Sequence, residues 1–400
     1  MRIVLANKHF LGLAGGAERN IADLANWLAR RGHDVFIVSE TKHGQASAFP
    51  LDTHVHVVIP TDDVRGKVDH VAMEYWDDPD RLGWANQSFS MRSKWGFTVR
   101  RLQPDVILTF LPHTSTMLLQ ELRDEFPIIV TNQSDPAVDY FSDKHSADPT
   151  EKALRLHSLG YAAAVHFLLP EFVQKMPAWV QTKSIVVPNA APIGRYRRDD
   201  VLRNRVIAVG RLEPNKGFAL LIDAFAHVAR SHPDWQLHLF GRGPEDQTLR
   251  TRIRRHRLQR NVIMRGFASE PVAEMAKSDI FVIPSVYEGW GLTLTEAMSV
   301  GLASIGFADC SGVNTLIHDD ANGVLVAQRS AEDLAEAINN LITDEPRRAR
   351  LGREALIYVS QYSADAIYGQ WEAEIAKFAG SARHARDHHR DSSLQRTEDA

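Results

Sequence analysis

The hydrophobic and polar positions of the chain form a strand and helix pattern from its first residues. Arg2–Ala6 is an apolar run suited to a buried parallel strand, and a segment with three glycines follows it. From Ala17 to Arg30 the apolar residues recur at helical spacing, and Gly32 marks the expected end of that helix. The run Val35–Val38 predicts a second strand. A strand, a helix and a strand in this order predict a parallel sheet with helices on both faces.

The rest of the first half continues this pattern around one stretch that predicts no element. Residues 61–95 are polar and carry Trp76, Trp84 and Trp95 without a clear period. Apolar runs before and after it predict further strands at Val55–Ile59, Val106–Phe110, Ile128–Thr131 and Ile185–Val187. We therefore expect a first Rossmann-like domain over residues 1–190.

A polar, charged segment, 191–204, separates this half from a second alternating run, and its composition is typical of a linker. The strands expected after it are Arg205–Val209, Gln236–Phe240, Val262–Met264, Ile280–Ile283, Ala303–Phe307 and Gly323–Val326. The helices expected between them are Phe218–Arg230, 245–258, Pro271–Ala276, Leu292–Val300 and 311–318. The predicted fold is α/β, with a second Rossmann-like domain over 204–362 that faces the first. Ligands in such folds bind beyond the carboxyl ends of the strands, so a cleft between the domains is the expected site.

Composition and charge limit the classes of protein that this chain can be. Its 400 residues are 44% hydrophobic and 24% charged, which is enough apolar material for two cores. The 46 basic and 50 acidic side chains give a net charge of −4, so we expect no bulk binding to nucleic acid. A single cysteine, Cys310, excludes an internal disulfide framework, and no apolar run approaches the ~20 residues of a membrane span. Because the N-terminus does not resemble a secretion signal, we expect a cytoplasmic protein.

The last residues, 381–400, have Leu394 as their only large apolar side chain, and we expect a disordered tail there. The tail contains His384, His388 and His389. Because nothing in a solvated tail fixes the geometry of metal ligands, we predict no metal site in it.

The clearest chemical pattern is Phe281–Val300, FVIPSVYEGWGLTLTEAMSV, which reads as a strand, a loop with two glycines and a helix starting near Leu292. A helix N-terminus offers unpaired N–H groups and partial positive charge, and glycines let a ligand approach the backbone. Glu288 and Glu296 can accept hydrogen bonds from vicinal hydroxyls of a sugar or a ribose. A surface loop acid and a first-turn helix acid explain the same two residues equally well. The segment as a whole predicts a site for a diphosphate or a sugar ring.

Two other loops have the composition of anion sites. VGRLEPNKG, at Val209–Gly217, places Arg211 and Lys216 between a buried strand and a helix, where two cations can neutralise a diphosphate without a metal. Solvated loop charges are the alternative. In the first half, LGLAGGAER at Leu11–Arg19 puts two glycines before a helix N-terminus, which by itself is weak evidence.

Two basic segments have the composition of interaction surfaces. Phe89–Arg101 combines three aromatic and four basic residues, which fits an interfacial helix on anionic lipid and equally an ordinary surface helix with a buried aromatic edge. Six arginines lie between Arg250 and Arg260, and the interleaved Ile253 and Leu258 favour an amphipathic helix with a solvated basic side. The first segment is our candidate for a peripheral membrane contact, and we expect no nucleic-acid partner.

Together and in this order, the motifs resemble those of the family 4 glycosyltransferases of GT-B fold. The resemblance runs from Met1 to about Phe378 and is densest between Arg205 and Val326. The matching segments are GGAER, VGRLEPNKG, FGRGPED, PSVYEGWGLTLTEA, DCSGVNTLI and NGVLV. Within them, two glutamates stand at the spacing of the family's E-x7-E motif. The resemblance implies transfer of a sugar from a nucleotide-diphosphate-sugar with retention of the anomeric configuration.

The same resemblance implies a role for each motif residue. Arg211 and Lys216 would hold the donor diphosphate and, with Glu288, form the catalytic set. The implied donor-binding residues are Gly16, Gly289, Trp290, Gly291, Leu292, Thr293 and, at the ribose, Glu296. The leaving phosphate would itself take the acceptor's proton, so no enzymic nucleophile, cofactor or metal is implied. The final helix, within 363–380, would cross back to the first domain.

The acceptor side departs from the family pattern. Many members have a histidine after the strand that is here Ile128–Thr131, whereas this chain continues NQSDP. That stretch resembles members that build cell-surface polysaccharides and lipid-linked oligosaccharides, which implies a glycan or lipid-linked acceptor at the inner face of the cell membrane. Whether Gln133 or Asp135 replaces the histidine stays open. The candidates for acceptor contact are Glu18, His113, Gln133 and Asp135.

Two other functions are compatible with parts of the pattern. One is another enzyme of GT-B fold, such as a nucleotide-sugar epimerase, and the other is a non-catalytic protein that binds sugar nucleotides. The presence of Arg211, Lys216, Glu288 and Glu296 together favours a transferase over both.

Overall fold

The computed structural model describes residues 1–13, 15–40, 46–60, 92–197 and 203–380. The chain forms two compact units. The first contains Met1–Val187 together with the chain from Tyr368 onward, and the second contains Pro188–Ile367. Each unit has its own parallel sheet.

The sheet of the first unit has seven strands in the order β3-β2-β1-β4-β5-β6-β7. The strands are β1 (Arg2–Ala6), β2 (Asp34–Val38), β3 (Val55–Val58), β4 (Val106–Phe110), β5 (Ile128–Thr131), β6 (Ala164–Phe167) and β7 (Ser184–Val186). All their pairings are parallel. The central strands β4, β5 and β6 are buried along their whole length, as expected for a sheet covered on both faces.

In the described residues of the first unit, six helices flank this sheet or connect its strands. They are α1 (Gly16–Arg30), α2 (described over 92–102), α3 (Pro112–Leu122), α4 (Pro149–Ser158), α5 (Pro170–Gln174) and α6 (Ala178–Gln181). A π-helical turn, Ala137–Phe141, follows the loop after β5. Helix α1 ends where Gly32 adopts a left-handed backbone with φ of 85°, which explains why a glycine stands there.

The sheet of the second unit has six parallel strands in the order β10-β9-β8-β11-β12-β13. The strands are β8 (Arg205–Val209), β9 (Gln236–Phe240), β10 (Val262–Gly266), β11 (Ile280–Ile283), β12 (Ala303–Phe307) and β13 (Val324–Val326). The helices are α7 (Phe218–Ser231), α8 (Asp246–Arg255), α9 (Pro271–Ala276), α10 (Leu292–Ser299), α11 (Ser311–Asn314), α12 (Ala331–Thr343) and α13 (Glu345–Val359). Buried Val, Ile, Leu and Phe side chains of the strands pack against α7 and α12 to form one core.

The division between the units falls within the C-terminal helix α14, described over 364–380. In the first unit, Trp371 of α14 packs on the buried ring of His166, with 4.5 Å between ring centroids. Tyr368 lies 6.1 Å from the ring of Trp27, and Glu372 pairs with His33 at 2.7 Å. The two units, each with a parallel sheet between helices, form the two-domain α/β architecture named GT-B.

Most predicted elements lie where the periodicity placed them, whereas the helices α3 to α6 of the first unit were not predicted. The strand β6 was not predicted either, because its four residues, AVHF, are too few to separate from a buried helix segment. The helices expected over 245–258 and 311–318 are shorter, at Asp246–Arg255 and Ser311–Asn314. The expected tail, 381–400, and most of the unassigned stretch, at 61–91, lie outside the described residues.

The segment expected to be a linker is bound to the second unit where it is described. The Ala191 N–H donates to the carbonyl of Tyr362 at 2.7 Å, and Arg195 pairs with Glu270 at 3.0 Å. A backbone hydrogen bond and an ion pair therefore hold this segment on the second unit, although its polar composition predicted a linker.

No helix in the described part of the chain is both long enough and apolar enough to cross a membrane.

Candidate functional site

The candidate site of the second unit lies where the strand order reverses. Strand β8 has β9 on one side and β11 on the other, so the loops after β8 and β11 leave the same sheet edge next to each other. Crevices at such switch points are where open parallel sheets bind ligands. The sequence predicted that both loops carry chemistry, and the strand order brings them together.

A glycine holds these two loops in close contact. Gly217 adopts a left-handed backbone with φ of 68°, and a Cβ built there would lie 2.1 Å from the carbonyl oxygen of Pro284. The Val286 N–H donates to the Asn215 carbonyl at 2.8 Å, which joins the loops a second time. A side chain at 217 would therefore separate them.

Lys216 and Glu288 form an ion pair at the junction of the two loops. The distance from Lys216 Nζ to Glu288 Oε1 is 2.7 Å, and the two side chains are only 18% and 13% exposed. The Ser285 hydroxyl donates to the same carboxylate oxygen at 2.6 Å. Because both charges are mostly shielded from water, their positions are better defined than those of an ordinary surface pair.

Arg211 is placed differently from Lys216. Its guanidinium pairs with Glu213 at 2.8 Å, and its side chain is 63% exposed. Both residues lie on the loop after β8, as the sequence indicated. In this structure only Lys216 of the two predicted cations contacts Glu288.

The loop after β11 ends at the N-terminus of α10. Gly291 caps this helix in a left-handed conformation, with φ of 76°. The N–H groups of Leu294 and Thr295 both donate to the Gly291 carbonyl, at 2.9 and 3.1 Å. The amides of Leu292 and Thr293 precede these bonds, so their N–H groups have no acceptor within the helix. The turn is therefore able to receive an anion.

Glu296 and Trp290 are buried on either side of that first turn. Glu296 is 6% exposed and lies beyond the first turn of α10, so the alternative of a first-turn helix acid does not hold for it. Trp290 is 3% exposed and its ring meets that of Tyr362 edge-on, with 5.0 Å between centroids. Among the described residues, its indole N–H has no hydrogen-bond partner. Packing of this ring fixes the backbone of residues 289–291.

Cys310 and Arg329 complete the surroundings of the ion pair. Burial, and then the charge of Glu288, raise the pKa of the Cys310 thiol to about 12. A thiol that stays protonated at neutral pH is a poor nucleophile, so its role is packing. Arg329 donates to the Pro284 carbonyl at 3.1 Å and pairs with Asp309, which ties the loops after β12 and β13 to that after β11.

In the first unit, the glycine loop after β1 starts helix α1. The Gly15 N–H donates to the Glu18 carboxylate at 3.1 Å, and Glu18 is 5% exposed. Glu18 is thus engaged in capping the helix, a structural role beside its predicted place in the site. Gly16 is the first residue of the helix, where its N–H belongs to the N-terminal turn.

The loop after β5 contacts α1 and carries the two candidates for the missing histidine. Asn20 of α1 lies 3.5 Å from the side-chain oxygen of Gln133. Asp135 accepts hydrogen bonds from Lys175 at 2.6 Å and from the Ala137 N–H at 2.9 Å. Both oxygens of the Asp135 carboxylate are therefore occupied within the protein, and this residue fixes the loop.

His113 stands at the start of α3, after strand β4, which lies between β1 and β5. The Lys8 N–H donates to the neighbouring Thr114 hydroxyl at 3.3 Å, so the loops after β1 and β4 are adjacent. Partial burial, and then the charge of Lys8, lower the pKa of the His113 ring. A neutral imidazole on an exposed position can both donate and accept hydrogen bonds.

The sequence interpretation missed two residues that shape the Glu288 loop. Ser285 was only part of the quoted motif, although a hydroxyl three residues before an acid in one loop is a recognisable local partner. Gly312 was not considered, yet a Cβ there would lie 2.7 Å from the Glu288 carbonyl oxygen. No local pattern signals that contact, since the two residues belong to different loops.

Within the described ranges, no group of three or more His, Cys, Asp and Glu side chains is arranged to hold a metal ion.

Two family models match the chain, one in each half. A model described as glycosyl transferase 4-like domain matches residues 15–190. A model described as glycosyl transferases group 1 matches residues 198–356, which contain the Lys216 and Glu288 loops.

Curated relatives are similar over most of the chain at low identity. An exopolysaccharide phosphotransferase of Streptomyces coelicolor is 26% identical over 375 residues, which are 90% of this chain and 39% of that protein. The chain thus spans well under half the length of this relative. An N-acetylgalactosamine-N,N'-diacetylbacillosaminyl-diphospho-undecaprenol 4-alpha-N-acetylgalactosaminyltransferase of Campylobacter jejuni is 26% identical over 262 residues, 62% of this chain and 70% of that protein.

Solved structures share the fold. HepE of Anabaena, determined in complex with UDP and glucose, superposes with a TM-score of 0.75 at 19% identity. The superposition covers 94% of this chain and 99% of that one.

Proposed function

Because the chain belongs to the GT-B glycosyltransferases, with a 4-like domain in its first half and a group 1 domain in its second, we propose that it is a retaining glycosyltransferase. Its donor is a nucleotide-diphosphate-sugar and its acceptor a glycan or a lipid-linked sugar. The observation that carries the proposal is the shielded Lys216–Glu288 pair, 2.7 Å across, at the switch point of the second sheet.

The leaving diphosphate is stabilised by cations and backbone dipoles. When the bond between the anomeric carbon and the phosphate oxygen breaks, negative charge develops on the diphosphate. The ammonium of Lys216, 18% exposed, and the amides of Leu292 and Thr293 can face that charge from two adjacent loops. Arg211, on the same loop as Lys216, releases Glu213 and pairs with the diphosphate when the donor binds. These fixed charges supply the stabilisation that a metal ion supplies in other transferases.

Glu288 positions both Lys216 and the donor sugar. Its Oε1 accepts from Lys216 and from Ser285, which leaves Oε2 to accept from a sugar hydroxyl. The backbone of Gly289, Trp290 and Gly291 lines the same sugar, with Trp290 held by its edge-on contact with Tyr362. The acceptor oxygen then bonds to the anomeric carbon, and its proton passes to the leaving phosphate.

Glu296 is assigned to the ribose of the nucleotide. Its carboxylate lies on the fifth residue of α10 and is nearly fully buried. A carboxylate can accept hydrogen bonds from both vicinal hydroxyls of a ribose.

On the acceptor side, Gln133 is the better replacement for the family histidine than Asp135. The carboxylate of Asp135 is already bonded to Lys175 and to the Ala137 N–H. The exposed His113 is the other acceptor contact that we assign, and Gly16, at the first turn of α1, keeps its role as a donor-binding residue.

The acceptor class follows from the relatives. The Campylobacter jejuni protein is named for an undecaprenol-diphosphate-linked acceptor, and the Streptomyces coelicolor protein for an exopolysaccharide. Their names support transfer in cell-surface polysaccharide synthesis over an epimerase or a silent binding protein. The enzyme would work in the cytoplasm at the inner face of the membrane.

A thermal-shift screen of nucleoside diphosphates and their sugars tests the donor assignment. A ligand at 100 times its Kd stabilises the folded state by about 2.7 kcal/mol, which should raise the Tm by roughly 5–10 °C. Transfer is then measured with the best donor in the presence and absence of EDTA, and we expect the same rate in both. A screen without any stabilising nucleoside diphosphate, or a rate abolished by EDTA, would contradict the proposal.

A further inference from the structure

The second unit carries a basic surface on helix α8 that the transfer reaction does not use. Four arginines at the end of this helix and just beyond it are exposed: Arg254, Arg255, Arg257 and Arg260. Among the described residues, no carboxylate lies within ion-pair distance of any of these four. The neighbouring acids Asp246 and Asp223 are already paired, with Arg250 at 2.7 Å and with Arg252. We call these four residues the α8 arginines.

A groove runs along the side of the same helix. It has a volume of about 340 Å³ and is lined by Gln247, Thr248, Thr251, Arg252, Arg255 and His256. They form adjacent pairs that repeat every four residues, so they lie in one stripe of the helix. Arg252 and His256 of this stripe are bonded to Asp223, and the Thr251 hydroxyl donates to the Gln247 carbonyl. The Gln247 amide, the Thr248 hydroxyl and the Arg255 guanidinium are the groups that can donate to a phosphate.

The apolar face of α8 is already used. Leu249 is 0% exposed and Ile253 is 5% exposed, since both side chains belong to the core of the second unit. The helix therefore has no free hydrophobic face with which to enter a lipid layer or bind a hydrophobic partner. The exposed side of α8 is positively charged, whereas the chain as a whole has a net charge of −4.

The helix α2, which the sequence offered as a candidate for membrane contact, is differently built. Trp95 of α2 is 0% exposed and donates its indole N–H to Glu40 at 3.0 Å. Arg100 is bonded to Glu121 and Glu125, at 3.0 and 2.7 Å. The aromatic residue is in the core and this basic charge is neutralised, which matches an ordinary surface helix with a buried aromatic edge.

We propose that the α8 arginines and the adjacent groove dock the protein on anionic phospholipid headgroups. The arginines provide long-range attraction to the surface, and the groove receives a single phosphodiester. Binding is purely electrostatic, because the apolar residues of α8 stay in the core. This site goes beyond the proposed transfer reaction and does not depend on which sugar or acceptor is used.

Vesicle binding tests the proposal. A basic residue near an anionic membrane contributes about a fivefold factor to binding. The triple variant Arg254→Gln, Arg255→Gln, Arg257→Gln should therefore bind vesicles of equal phosphatidylglycerol and phosphatidylcholine roughly 100-fold more weakly than wild type. Binding of the wild type should fall steeply between about 50 and 500 mM salt, because the Debye length shortens as salt is added. The wild type should not bind vesicles of pure phosphatidylcholine.

A matched control removes the same charge from another helix of the same unit. Arg347→Gln, Arg350→Gln, Arg353→Gln on α13 should leave vesicle binding within about twofold of wild type, since a diffuse charge effect alone would lower both triple variants equally. If the α8 triple variant does not fold, the single variant Arg255→Gln takes its place, and it should bind vesicles about fivefold more weakly than wild type. Rates on a soluble acceptor should be unchanged in every variant, so this test stands apart from that of the transfer reaction.

Three results would overturn the proposal. They are a wild type that does not bind anionic vesicles at low salt, an α8 variant that binds like the wild type, and an α13 control that loses binding to the same extent. Binding of duplex DNA without binding of vesicles would assign the α8 arginines to nucleic acid and would also refute the membrane assignment.

Discussion

Replacing Gly312 by alanine should displace the Glu288 loop without removing any charged group. Gly312 lies in the short helix α11, and its backbone conformation is one that alanine adopts without strain. A Cβ at this position would stand 2.7 Å from the Glu288 carbonyl oxygen and 2.8 Å from its Cβ, where ordinary contact begins at 3.4 Å. The Glu288 backbone has to retreat by about 0.6–0.7 Å to restore ordinary contact.

The expected loss follows from that displacement. Overpacking of this kind costs about 1–3 kcal/mol in stability. For a unit of this size each kcal/mol lowers the Tm by about 2–4 °C, so the variant should remain folded at 25 °C. A misplacement of about 1 Å at a catalytic group costs on the order of 100-fold in rate, so this smaller shift should lower kcat by roughly 10- to 100-fold.

The assay is steady-state transfer from the donor found in the thermal-shift screen, with kcat and donor KM measured separately. Gly369→Ala is the control, because a Cβ on this residue of α14 has no atom within 4 Å. It should raise stability by about 0.4–1 kcal/mol and leave the kinetics unchanged.

A double variant identifies the route of the effect. If alanine at 312 acts by moving Glu288, then adding Gly312→Ala to Glu288→Ala should cause almost no further loss. A folded Gly312→Ala variant with the kcat and donor KM of the wild type would refute the reasoning, because the position of Glu288 would then not matter. Fully additive losses in the double variant would refute the route.

Three further predictions concern single groups. Lys216→Ala should lower kcat by about 100-fold or more, since it removes a preorganised charge, whereas Lys277→Ala on the surface should not; turnover near wild type would remove Lys216 from the diphosphate. Glu296→Ala should raise the donor KM by roughly 10-fold or more with a smaller change in kcat, and an unchanged KM would remove Glu296 from the ribose. Burial lowers the pKa of His166 from 6.5 to about 4. Between these two pH values the His166 ring is therefore protonated in the unfolded chain and neutral in the folded chain. The free energy of unfolding, measured with urea, should therefore fall by up to about 3 kcal/mol as the pH drops through this range, and by less in His166→Gln. The same pH dependence of this free energy in both proteins would contradict the assignment.

The local periodicity of the sequence predicted most of the strands and helices. Two examples are Val106–Phe110, an apolar run with the single polar residue Thr109, and Ile280–Ile283, which is apolar throughout; the bounds of both agree with the structure. The strand β6 shows the limit of this signal. Its sequence, AVHF, includes a histidine that is fully buried because its Nε2 bonds to the Val187 carbonyl at 2.7 Å, a partner that periodicity does not reveal.

Part of the site could be predicted in the same way, because a loop between a strand and a helix is a local feature. The glycines at 289 and 291 and the start of α10 are examples. The state of the side chains was not predictable. Asp135 and Glu18 looked like free site acids, but Lys175 and the Gly15 N–H occupy them. The partner of Asp135 comes from a distant segment of the chain, and the partner of Glu18 comes from the start of its own helix, so both contacts depend on the folded structure.

By itself, the sequence determined the alternation of strands and helices, the two-unit organisation and which loops carry cations, glycines and carboxylates. These properties depend on residues within a few positions of each other, and hydrophobic burial at a fixed period encodes them directly. Only the tertiary structure decided that Lys216 meets Glu288, 72 residues away, and that Gly312 supports the loop. Those contacts exist because β8 pairs with β11 at the switch point, and the pairing of strands distant in sequence is set by the whole core.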